Sequence, residues 1–215
     1  MTDPYINQNS VLINKLGITD YDELNRAEQM IGLVKLQNLN QIKITSFNEE
    51  LIQDIHGFIF KDIFAWAGNY RVTPLFKEEL VLPRYSVPYS EPKMISHDLN
   101  KRLEDVNNTK WSGMSEEELT MLFARKMALV WKVHPFRDGN TRTIVSFSYL
   151  FAREYGFNMD MNVFIDNLMR IYKEEKIVRY SIRDKFVLAS LDDKDYPEVQ
   201  ALAKVYKKAI NNYRQ

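Results

Sequence analysis

The sequence predicts an all-α protein with one small β-hairpin, and three observations carry that expectation. Punctuation is sparse, with 7 glycines and 7 prolines in 215 residues, too few for a chain of many short strands. The long segments between them repeat apolar residues at spacings of three and four, the period of one helix face. Several of these segments open on Ser or Asp followed three positions later by Glu, the pattern of a capping box.

Taken in order, a first helix is expected within about 14–40, with Asp20 as N-cap, Glu23 three positions on, and Leu24, Ala27, Ile31 and Val34 on one face. The next follows Ser46 and Glu49, with Leu51, Ile55, Phe58 and Ile59 apolar. Ser90 is the expected cap of a third, with Pro92 in its first turn, where a missing N–H does no harm. Ser115 and Glu118 form a capping box ahead of Leu119, Leu122, Phe123 and Met127. The stretch from Thr141 is strongly apolar and stops at Gly156, a natural left-handed C′ residue. Two further helices are expected near 161–175 and 177–190, and a last amphipathic one near 197–213. Residues 68–90, GNYRVTPLFKEELVLPRYSVPYS, are the exception. Their β-branched and aromatic residues, prolines and short apolar runs read as an irregular hairpin or flap, about 70–88. No repeat or linker interrupts the chain, so a single domain over 1–215 is expected.

Composition narrows the function classes. Lys plus Arg equals Asp plus Glu, 29 each, so no global basic field points to nucleic acid. The absence of cysteine removes disulfides, thiolate metal sites and a cysteine nucleophile. Neither a secretory signal nor an apolar run of bilayer length is visible. A cytoplasmic protein without a membrane partner is expected, and export by a dedicated secretion machine would leave no mark in the sequence. His56 and His97 read as surface or helix-packing residues, and Trp66, Trp111 and Trp131 as core residues. The C-terminal helix reads as packed on the domain, with a homodimer contact as the next reading.

Chemistry concentrates in residues 134–143, HPFRDGNTRT. They form a short loop between two strongly apolar helices, and a loop held at both ends can place side chains accurately. His134 can take a proton from a hydroxyl. Asp138 offers a hard oxygen ligand suited to Mg²⁺, which needs few carboxylates when phosphates complete its shell. Gly139, Asn140 and Thr141 lead into a helix N-terminus, whose N–H groups and dipole favour an anion. Arg142 can bind phosphate through two N–H groups. Base, metal ligand, anion nest and arginine are the parts for attack on a nucleotide phosphate. A polar turn with a capping Asn or Thr explains the same residues, and on local chemistry alone that reading stands slightly ahead.

The stretch resembles the signature of the Fic family, His-x-Phe-x-Asp/Glu-Gly-Asn-Gly-Arg-x-x-Arg. LFARKMALVWKVHPF resembles the helix leading into that signature, IFKDIFAWAGNYR the family's upstream helix end and flap, and NKLGITDYDELNRAE its opening. The resemblance covers most of 14–175. It implies a Fic-type helical fold and transfer of AMP from Mg²⁺-bound ATP to a Ser, Thr or Tyr hydroxyl of a target protein. His134 would be the base, Phe136 a core anchor, and Asp138 the Mg²⁺ ligand. Gly139, Asn140, Thr141 and Arg142 would hold the phosphates. Leu75, Phe76 and Lys77 belong to the stretch that would dock the target by strand addition.

Two positions depart from the pattern. Thr141 stands where the family has its second glycine, and relatives that transfer phosphate instead are similar to His-x-Phe-x-x-Ala-Asn-Lys-Arg, which Asp138 and Gly139 do not match. Val145 stands where the family has its last arginine, which in relatives holds the γ-phosphate and pairs with an inhibitory glutamate of the motif Ser/Thr-x-x-x-Glu-Gly/Asn. No glutamate here is followed by Gly or Asn. A site free of the usual inhibitory helix is therefore expected, with Arg137 or Arg84 as substitute phosphate contacts and Val145→Arg as an activating change. A non-catalytic Fic domain that binds a partner or nucleotide, and transfer of another group such as UMP, remain open. So do the target protein and a separate antitoxin as partners.

Overall fold

The computed structural model describes residues 3–82, 84–165, 171–173, 176–191 and 198–211. Its helices are α1 (Tyr21–Gln37), α2 (Glu49–Phe60), α3 (Ile95–Asn107), α4 (Glu116–Val133), α5 (Asn140–Glu154), α6 (Asn162–Ile165), α7 (Ile182–Ala189) and α8 (Val199–Ala209). Two-stranded antiparallel pairs join β1 (Asn158–Met159) to β4 (Ile210–Asn211), and β2 (Ile171–Lys173) to β3 (Lys176–Arg179). The all-α class expected from periodicity is what the chain adopts.

The caps explain where the helices begin. Asp20 accepts the N–H of Glu23 at 2.8 Å and starts α1. Ser115 and Glu118 form the reciprocal box of α4. Gly156, at φ +82°, ends α5 in a Schellman motif, with Phe157 N–H donating to Ala152 O at 2.8 Å. Two expected caps differ. Asn48 caps α2 instead of Ser46. Ser90 gives its hydroxyl to Asp98 at 2.6 Å, and α3 is entered through a 3₁₀ turn at Pro92–Met94.

The central helix α4 packs on α3, α7 and α8, and α5 packs on α2. The core between them is aromatic and aliphatic, with Phe123, Met127, Trp131, Phe147, Phe151, Phe186 and Tyr206 wholly buried. This buried frame holds both ends of the loop between α4 and α5.

Two stretches depart from expectation. The helix expected over 161–175 is the short α6 followed, beyond 166–170 (outside the described residues), by the β2–β3 hairpin. IYK and KIVR each carry two adjacent β-branched or aromatic residues, which favours strand pairing over helix. The flap, conversely, forms no regular hairpin: its described residues carry one isolated bridge, Glu79 to Leu82. Pro74, Pro83 and Pro88 deny it ladder donors. Its first arm nevertheless alternates like a strand. Arg71, Thr73, Leu75, Lys77 and Glu79 turn inward, and Val72, Pro74, Phe76, Glu78 and Leu80 face solvent.

Candidate active site

The loop begins where α4 ends in a left-handed residue, His134, at φ +53°. A positive φ is uncommon for any residue but glycine, although His is among those that adopt it more readily, and the conformation is held from outside the loop. Buried Arg71 donates through Nε to His134 O at 2.9 Å, and its guanidinium also bonds Thr73 O (2.9 Å) and Ser90 O. Arg71 N–H donates to Pro135 O at 2.9 Å. One arginine thus ties both arms of the flap to the loop.

The middle of the loop is fastened from within and below. Asn140 turns its side chain back on Phe136, accepting its N–H at 2.9 Å and donating to its carbonyl at 2.8 Å. Phe136 stacks on His56 at 3.8 Å between ring centres. His56 Nδ1 accepts Gly68 N–H at 2.8 Å, so Nε2–H donates to Asp138 O at 3.1 Å. Burial is the main cause that pushes the His56 pKa down to about 3, which keeps this tautomer neutral. Expected to be a surface or packing residue, His56 is wholly buried and positions the loop. Nothing in its spacing signals this, because its partners lie 12 and 82 residues away.

Gly139 caps α5 at φ +78°, and a Cβ there would meet the Phe60 ring at 2.4 Å. Gly139 offers no side-chain cap, so the first-turn N–H groups of α5 keep their donor capacity. Thr141 turns its side chain away from this donor cluster, and its Oγ1 accepts Trp131 Nε1–H at 3.0 Å. That is why a side chain fits where the resembled signature has glycine.

The ionisable groups lie around this end. Asp138 forms an ion pair with Lys77 of the flap at 3.3 Å, and its side chain is 36% exposed. Its burial works to raise its pKa, but Lys77, Arg142 and the Gly139 N–H outweigh it and hold the carboxyl far below the usual range. Arg142 lies over the Phe60 ring at 4.5 Å and pairs with Glu28 of α1 at 2.6 Å. Burial raises the Glu28 pKa against the pull of Arg142. The usual inhibitory pair is missing, as its motif and Val145 imply, but a different glutamate takes up an arginine here: Glu28, followed by Gln29 rather than Gly or Asn, meets Arg142 instead of position 145. A four-residue motif could not reveal it, since the pair joins residues 114 apart.

His134 is 0% exposed. Tyr89 stacks on it at 4.0 Å and Trp131 meets it edge-on at 4.8 Å. Neither ring nitrogen has a hydrogen-bond partner among the described residues. Burial, with Lys77 and Arg183 nearby, holds its pKa well below 6.5. It is a neutral imidazole with both nitrogens uncommitted.

Asp138, Gly139, Asn140, Thr141 and Arg142 form one wall of a pocket of about 430 Å³. Helix α1 forms another through Asn25, Gln29, Gly32, Leu33 and Leu36, and Ile165, Ile182 and Arg183 close it. The size suits a small organic ligand. Its walls combine apolar side chains with the uncapped start of α5 and two arginines. The two substitute arginines expected from sequence do not line it. Arg137 is committed to Asp3 through Nε at 2.9 Å and a terminal nitrogen at 2.7 Å, and Arg84 is exposed on the flap. Val145 is 5% exposed and packs beside Leu36, Phe164 and Ile182.

Residues 46–152 match the model of the Fic/DOC family, and the chain belongs to that family. It is 28% identical over 160 residues to the protein adenylyltransferase VbhT of Bartonella schoenbuchensis, a match over 74% of this chain and 32% of that protein. The chain thus spans about a third of that relative's length. Among solved structures it is similar to the N-terminal Fic domain of an effector protein from Bartonella sp. AR 15-3, with TM-score 0.72 and 20% identity over 96% of this chain and 91% of that one. It is also similar to BepC of Bartonella tribocorum with bound AMPPNP, with TM-score 0.69 and 22% identity over 98% and 97%. Among the described residues no helix is long and apolar enough to cross a membrane.

Proposed function

We propose that this chain is a protein adenylyltransferase that moves AMP from Mg²⁺-bound ATP to a hydroxyl of a target protein. The observation that carries this is the uncapped N-terminus of α5, which with Arg142 opens on an apolar-walled pocket at the end of a loop that starts with an uncommitted neutral histidine. VbhT is a protein adenylyltransferase and BepC holds AMPPNP, which supports the same reading.

In this reading the N–H groups of Gly139, Asn140 and Thr141 hold the α-phosphate, and Arg142 exchanges Glu28 for phosphate oxygens. Apolar side chains of α1 with Ile165 and Ile182 sandwich the base. The target hydroxyl oxygen attacks the α-phosphorus and gives its proton to His134. The bond from that phosphorus to the bridging oxygen breaks, and pyrophosphate leaves. The low pKa of His134 keeps it able to accept that proton at neutral pH. Asp138 stays ionised and about a third exposed, so it would hold the Mg²⁺ that accompanies the phosphates. That ion supplies charge neutralisation at the phosphates. The outward-facing row of Val72, Phe76 and Leu80 has no strand paired to it among the described residues, and it would register an extended target segment beside Leu75 and Lys77.

A second reading is favoured by one feature. The His134 ring is wholly covered, with Tyr89 stacked on it, as in a domain that binds nucleotide without using the base.

ATP labelled at the α-phosphate, and separately at the γ-phosphate, incubated with the protein, Mg²⁺ and a bacterial lysate, decides between them. Protein-bound label from the α position alone, lost in His134→Ala, is expected. Label from the γ position would make the reaction phosphate transfer. Binding of ATP without label from either would leave the binding domain.

A further inference from the structure

The pocket has a second arginine that lies outside the matched family span. Arg183, the second residue of α7, lines the same pocket as Asp138, Gly139 and Arg142. Among the described lining residues these two arginines are the cations. We infer that Arg183 is a second phosphate-binding residue, which takes the distal phosphates of a nucleoside triphosphate while Arg142 and the α5 N-terminus take the proximal one. The inference rests on the nucleotide reading above.

A triphosphate is a row of anions, and one helix N-terminus with one guanidinium accounts for only one end of it. Helix α5 offers no further cation a turn later, because Val145 is apolar and packed. Arg183 reaches the pocket from α7 and is oriented in advance. Its guanidinium lies over the Trp131 ring at 5.5 Å, donates to Tyr89 Oη at 3.2 Å and pairs with the Glu79 carboxylate of the flap. An aromatic floor leaves the N–H groups in the guanidinium plane free to select oxyanions. Its charge also reaches the loop, being among the causes that depress the pKa values of His134 and Asp138. Each pocket arginine thus has a resident carboxylate, Glu28 for Arg142 and Glu79 for Arg183, and a phosphate competes with that carboxylate for the same donors.

The test is calorimetric titration of the protein with AMP and with AMPPNP, both with Mg²⁺. Wild type should bind AMPPNP more tightly than AMP. Arg183→Ala should weaken AMPPNP by roughly ten- to a hundredfold, the loss of a charge-assisted contact, while AMP changes little. Arg183→Lys should recover part of the difference. Because Arg183→Ala leaves the buried Glu79 without its cation, Arg183→Gln combined with Glu79→Gln gives a charge-neutral check and should show the same selective loss. Glu79→Gln alone should tighten AMPPNP. If the Arg183 variants keep the wild-type ratio of AMPPNP to AMP affinity, or lose both ligands alike, Arg183 is structural and the inference is wrong while the nucleotide reading stands. If wild type binds neither ligand, the nucleotide reading fails and this inference with it.

Discussion

Gly139 shows how narrowly the loop is built. Its positive φ alone disfavours a side chain, and the Phe60 ring occupies the place of a Cβ. Gly139→Ala should therefore displace the loop from Phe60, costing about 2–4 kcal/mol of stability from strain and lost packing. Denaturant unfolding would measure it, and a loss below about 0.5 kcal/mol would show that the ring moves aside freely. Val145 has the opposite character. The space beside it is about 10 Å³, far too small for a guanidinium, and it is lined by apolar Leu36, Phe164 and Ile182 together with the like-charged Arg142. Val145→Arg should then destabilise the fold by several kcal/mol, the cost of burying an unpaired charge, and it should not activate the protein. An unchanged melting temperature with higher label transfer would restore the expectation made from the signature alone.

Helix α1 supplies both a wall of the pocket and the carboxylate that neutralises Arg142. Gly32 lies under Arg142, and a Cβ there would sit 3.4 Å from an Arg142 nitrogen, in van der Waals contact. Glu28→Gln keeps a hydrogen-bonding group but removes the competing charge. It should tighten nucleotide binding severalfold and lower stability by about 1–2 kcal/mol. Titration with AMPPNP and thermal unfolding of the same variant check both signs, and weaker nucleotide binding would mean that Glu28 helps to hold ligand. The flap makes the matching contact on the other side, through Lys77 to Asp138 and Glu79 to Arg183. The flap and α1 thus each pair with charged groups of the pocket, and in the proposed reading ligand competes with these contacts.

Across the whole molecule, two buried neutral histidines set the response to pH. The unfolded chain takes up protons below about pH 6.5, whereas folded His56 resists until about pH 3 and His134 is shifted in the same direction. The unfolded state then binds more protons, so stability is greatest above pH 6.5 and falls as pH drops toward 3. Asp138, depressed by its cationic neighbours, adds to the loss below the ordinary carboxylate range. Glu28, raised by burial, works against it. The denaturant midpoint should be lower at pH 5 than at pH 7.5, and equal midpoints would mean that these rings gain solvent before they titrate.

Local order was legible in the chain because its causes are local. The capping of α1 and α4, the Gly156 stop, the helical period and the polar loop with His134, Asp138 and Arg142 all lie within a few residues of their signals. The β2–β3 hairpin was missed because strand and helix patterns are hard to separate over three or four residues. The partners of the loop were not legible at all. Arg71 on His134 O, His56 on Asp138 O, Glu28 on Arg142 and Arg183 in the pocket wall join residues far apart in sequence, and none carries a periodic or spaced signature. Residue types and spacing settled which groups are present and which helices carry them. Packing alone decided which carboxylate meets which arginine and how deeply His134 is buried, because those depend on long-range contacts that no short window of sequence contains.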